Sequence, residues 1–89
     1  MGYNYQTEKP GIFTEDGQVM FLEIRDRVKR LIGQSGAVRM QEAMSGSVGD
    51  SWKMLACVDR LVEIGELLEL RYPSGEPAGQ HRVFVSTIR

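Results

Sequence analysis

Apolar residues recur in the first half of the chain at Phe21, Ile24, Val28, Leu31 and Ile32. This i, i+3, i+7, i+10, i+11 spacing lines one face of a helix. Thr14 or Asp16 can cap that helix, and Gly33, followed by "QSG", is expected to end it. "GAVRM" is too short for a helical turn of its own and reads as a short strand, and "MQEAMS" reads as a short helix. After the turn "GSVGDS", a second stripe appears at Met54, Leu55, Val58, Leu61 and Val62. It predicts a helix over residues 51–64, capped by Asp50 or Ser51 and stopped by Gly65. "ELLELRY" then alternates, with Leu68, Leu70 and Tyr72 on one face. "PSGEPAGQ" is a loop, and "HRVFVSTI" is a second strand in which Val83 and Val85 fit an inward alternation. The two strands form a hairpin. Residues 1–13 are polar, interrupted by Pro10-Gly11 and without a period, so they read as a flexible arm before a domain over residues 14–89. Within the arm, only Ile12 and Phe13 precede the Thr14 cap in the way that staples a helix entry.

Composition narrows the function classes. With 89 residues the chain is long enough for one domain with a small core, and 42% apolar residues suffice for it without metal or disulfide staples. Eleven basic and 12 acidic residues nearly cancel, which excludes a strongly cationic tail but not a local basic face. Cys57 is the only cysteine, so it forms no disulfide within the chain, and it reads as a core thiol. No apolar run has the length of a membrane span, and "MGYNYQTEKPG" has no signal core, so cytoplasm is the expected compartment and no membrane partner is expected. There is no phosphate loop, nucleophile elbow or paired His/Cys set, so no enzyme activity, cofactor or metal is expected; His81 stands alone.

The stretch "MQEAMSGSVGDSWKMLACVDRLVEIGELLEL" resembles the winged helix-turn-helix domain of bacterial transcription regulators. In that family a short helix, a turn and a second helix keep a fixed length. A leucine, a few residues, a glycine and an apolar strand follow, here Leu61, "VEI", Gly65 and "ELLEL". The turn departs from the family pattern, reading Val48-Gly49 where a glycine followed by an apolar residue is usual. The resemblance implies an α+β fold: a three-helix winged helix-turn-helix with a short strand and a C-terminal β-hairpin wing. It further implies that the helix from Ser51 enters a DNA major groove. Ser51, Lys53, Ala56 and Arg60 would then reach bases or phosphates, while Arg71, His81 and Arg82 flank the wing tip.

Two partners follow from this reading. The first is double-stranded DNA, as for a small transcription regulator or accessory factor. The alternative is a protein, because winged helices also serve as interaction modules. Charge favours the alternative, since residues 51–66 carry Lys53 and Arg60 against Asp59, Glu63 and Glu66, and phosphate contacts dominate DNA affinity. A positive band joining Arg25, Lys29, Lys53, Arg60 and Arg82 would favour DNA; its absence would favour a protein. Trp52 has two readings: it covers the helix-turn junction with its indole N–H bonded to a backbone carbonyl, or it stands exposed as an anchor that stacks on a sugar or fills a partner's pocket. A monomer is expected, or a weak homodimer through Tyr3, Tyr5, Ile12 and Phe13 of the arm.

Overall fold

A computed structural model describes residues 2–46, 49–70 and 82–87. The described elements run α1 (Tyr5–Glu8), a 3-10 turn (Lys9–Phe13), α2 (Glu15–Ser35), β1 (Val38–Arg39), α3 (Met40–Met44), α4 (Ser51–Glu63), β2 (Leu67–Glu69) and β3 (Val83–Ser86). The fold is α+β, with the described strands forming one antiparallel sheet in the order β1-β3-β2.

The long helix α2 begins as the sequence predicts. The Thr14 hydroxyl accepts from the Gly17 amide at 3.0 Å and fills one of the unpaired donors of the first turn. The helix runs past Gly33 and ends at Gly36. A glycine inside a helix costs only about 1 kcal/mol, and the surrounding turns absorb it. At the other junction, Gly65 takes a left-handed φ of 84°. Its amide donates to the Val62 carbonyl and the Glu66 amide to the Leu61 carbonyl, so α4 closes on itself and the chain drops straight into β2.

The core lies between α2, α4 and the inner sheet face, with Ile24, Val28, Val58, Leu61, Val38 and Phe84 all at most 2% exposed. Cys57 belongs to it, and burial pushes its thiol up to about 11, against a lowering by Lys53. The core thiol expected from the sequence is thus an inert one.

The strand phase is opposite to the expected one. Leu67 and Phe84 point inward, whereas Leu68 is 55% and Leu70 40% exposed, and Val83 and Val85 are half-buried. Directly opposed residues of an antiparallel pair share a face, and the register pairs Leu68 with Val85 and Glu69 with Phe84. The inner row therefore holds Glu69, with Arg82 in step with Phe84. Inward charges are what the hydrophobic alternation could not reveal. Tyr72 and the hairpin tip lie outside the described residues.

The N-terminal residues also differ from the expected flexible arm. The Asn4 side chain caps α1 by accepting from the Thr7 amide at 3.3 Å. The Gln18 amide side chain donates to the Ile12 carbonyl at 2.7 Å, and Ile12 is 1% exposed. Gly17 allows this docking: a Cβ there would lie 2.0 Å from the Gly11 carbonyl oxygen. The segment is ordered by tertiary contact, which its own polar sequence does not announce.

Candidate interaction surface

The candidate site residues on α4 lie around a helix that is enclosed on more than one side. α2, α3 and β2 pack on its apolar stripe, and α1 and the 3-10 turn pack on it as well. Ala56, Asp59 and Glu63 fall three and four residues apart, on one side. The N-terminal segment binds that side.

Tyr3 donates its phenol to Asp59 Oδ2 at 2.6 Å. Burial and the hydrogen bond to a carboxylate both push the Tyr3 phenol far above its ordinary range. Tyr5 donates to Glu63 Oε1 at 2.8 Å, and its phenol is pushed up to about 12, by burial first and then by that bond. Lys9 Nζ lies 3.0 Å from Glu63 Oε1, and Arg60 Nη1 reaches the same oxygen at 2.7 Å. The Arg60 guanidinium also stacks 5.4 Å from the Phe13 ring centre, a cation–π contact.

Glu63 is the acceptor of this cluster. Hydrogen bonds from Lys9, Tyr5 and Arg60, in that order, lower its carboxyl from 4.5 to about 2. The folded group titrates below the unfolded one, so its stabilising contribution is present above pH 4.5 and drains away as the pH falls toward 2. One-third of the side chain is exposed and solvent screens it, so the effect is modest. Urea midpoints measured at falling pH should decline less for Glu63→Gln than for the parent chain between pH 4.5 and 2. An identical decline in both would remove Glu63 from the acid response.

A second cluster sits where α4 meets the sheet. Arg82 Nη2 donates to Asp59 Oδ1 at 2.6 Å and to Glu69 Oε1 at 2.8 Å. Its Nε reaches Glu69 Oε2 at 3.0 Å and its Nη1 reaches Asp59 Oδ2 at 3.4 Å, so both carboxylates are held through two oxygens. The side chains of Arg82, Asp59 and Glu69 are only 18%, 14% and 12% exposed. The guanidinium lies 5.2 Å from the Phe84 ring centre. Through Asp59 this cluster is continuous with Tyr3, so the N-terminal segment, α4 and the hairpin share one network.

These positions correct several expectations. Ala56 is fully buried, not on an outward face, because the side of α4 opposite the core is itself packed. Arg82 points inward to two carboxylates instead of flanking a free tip. Arg60 is engaged by Glu63 and Phe13. Ser51 is exposed in the first turn. Lys53 is half-buried: the end of its aliphatic stem lies 3.4 Å from where a Cβ on Gly11 would stand, and it has no ion pair among the described residues. Arg71 and His81 lie outside the described residues. Trp52 is 40% exposed, and among the described residues its indole N–H has no partner. Its backbone amide instead donates to the Asp50 cap at 2.9 Å. Of the residues named for pairing of two arms, Ile12 is buried, Tyr3 and Tyr5 hold α4, and Phe13 is 56% exposed beneath Arg60.

The positive band is interrupted. Arg25 pairs with Glu66 at 2.9 Å, Arg60 with Glu63, and Arg82 with Asp59 and Glu69, which leaves Lys29 and Lys53. The hairpin instead presents an apolar outer face, with Leu68 and Leu70 exposed beside Val83 and Val85. Sequence reasoning missed Tyr3, Tyr5 and Lys9 as ligands of α4, since their partners lie more than 50 residues away and no local pattern marks them. Among the described residues, no group of three His, Cys, Asp or Glu is placed to hold a metal, and no helix is long and apolar enough to cross a membrane. No family model, curated protein or solved structure matches the chain.

Proposed function

We propose that this chain is a winged-helix domain that docks on a protein partner through the outer face of its hairpin. The element order supports the winged-helix reading, as does the placing of β3 between β1 and β2. One observation carries the choice of partner. The two arginines closest to a groove-binding role, Arg60 and Arg82, are already neutralised by carboxylates, while Leu68 and Leu70 stand unpaid for in water. Phosphate contacts supply most of DNA affinity, and cations held in internal pairs contribute little to them. Exposed leucines beside half-buried valines are the kind of surface that binds another protein.

Affinity purification from the native host tests this. The parent chain should retain a stable protein partner that Leu68→Glu/Leu70→Glu loses, while both fold alike by circular dichroism. Recovery of nucleic acid without a protein partner would overturn it.

DNA binding is the second reading, favoured by one feature: Ser51 and Lys53, which has no ion pair among the described residues, occupy the first turn of α4, the end that meets base edges in helix-turn-helix proteins. On that reading, affinity for mixed duplex DNA drops steeply between about 50 and 200 mM salt, and Lys53→Ala weakens it. Absence of binding at the lower salt rejects it.

A further inference from the structure

A cavity of about 480 Å³ opens between the C-terminal half of α2, the end of α4 and the sheet. Its volume falls within the range of small-molecule sites, about 300 to 1,000 Å³. Val28, Ile32, Leu61 and Leu67 line it, so its walls are aliphatic. Gly33 also borders it, and a Cβ on Gly33 would meet nothing within 4 Å, so among the described residues no side chain fills the space in front of it.

The charges at the rim are unequal. Arg25 and Glu66 bond to one another at 2.9 Å and cancel. Lys29, one helical turn along from Arg25, lines the same cavity and is exposed, with no ion pair among the described residues. An aliphatic pit with one uncompensated cation at its edge is complementary to an apolar body that ends in an anion. A cationic head would meet Lys29 with like charge, and a neutral one would leave it unused.

We propose that this cavity binds a small apolar carboxylic acid, with its chain against Val28, Ile32, Leu61 and Leu67 and its carboxylate at Lys29. The site is independent of the hairpin surface assigned to a protein partner, so either assignment stands without the other.

The test uses octanoate and octylammonium, which share an aliphatic body and differ in the sign of the head. Each is titrated below its micelle concentration into the whole isotope-labelled chain, and backbone amide shifts are followed. Octanoate should give saturable shifts centred on Lys29, Gly33, Leu61 and Leu67, at several-fold higher affinity than octylammonium. Gly33→Leu should fill the cavity and abolish those shifts while the thermal midpoint holds or rises. Lys29→Glu, on the surface, should reverse the preference between the two heads. Absence of saturable shifts, shifts centred elsewhere, undiminished binding by Gly33→Leu, or equal affinity for the two heads would each overturn the proposal.

Discussion

Arg82→Met should lower the unfolding free energy by about 3 kcal/mol, because it leaves two carboxylates in a place built for a cation. Asp59 and Glu69 retain only 14% and 12% exposure of their side chains, and each loses both of its guanidinium contacts. The loss is mostly the cost of stranding them, and it is a large share of the roughly 5 to 10 kcal/mol that holds a domain of this size. The intact triad has a much smaller net value, since bringing three charges out of water consumes most of what their attraction returns. Two variants separate these quantities in urea denaturation. Arg82→Met alone should fall steeply, whereas Arg82→Met combined with Asp59→Leu, Glu69→Leu and Tyr3→Phe, the last removing the phenol that Asp59 otherwise accepts from, should regain most of the loss. If the combined variant were as weak as the single one, the pairing itself would be the stabilising element.

Gly17→Ala should cost about as much, near 3 kcal/mol, although helix propensity alone points the other way. Alanine is favoured over glycine inside a helix by up to about 1 kcal/mol. At Gly17, however, the new Cβ would stand 2.0 Å from the Gly11 carbonyl oxygen and 2.7 Å from the Ile12 carbonyl. Both obstacles are backbone, so the 3-10 turn has to lift. Ile12 then leaves the core, which forfeits about 2 to 3 kcal/mol of burial, and the contacts of Tyr3 and Tyr5 with α4 loosen with it. Chymotrypsin should cut after Tyr5 faster in the variant than in the parent. Gly33→Ala is the control: the same change in the same helix, with open space around it, should stabilise by roughly 0.5 to 1 kcal/mol. Equal effects at the two positions would show that local propensity governs both.

The parts of the fold legible in the sequence were those set by local rules. The apolar spacing of α2 and α4 and the glycine at residue 65 act within a few residues, and so do the caps, where the structure selects Thr14 over Asp16 and Asp50 over Ser51. Failures came where distant residues decide. The doublet Leu67-Leu68 satisfies either strand phase, and the choice falls to the turn at Gly65 and to Arg82, which draws Glu69 inward. Ala56 sits on the polar side of α4 by spacing, yet that side is packed in its turn. Residues 3–13 read as an arm because nothing in their composition reveals Asp59 and Glu63 waiting across the fold. The candidate interaction surface inherited these errors, since its outward residues were inferred as if α4 had only one covered face.

The chain's lone tryptophan, Trp52, is 40% exposed at the first turn of α4. Its indole is already half-solvated in the native state, so fluorescence emission shifts little when the chain unfolds and is a poor optical readout of stability. The same solvation makes it a sensitive readout of docking. Any macromolecule that covers the start of α4 dries the ring and moves its emission to the blue, a built-in spectroscopic reporter that stays silent when a partner sits only on the hairpin.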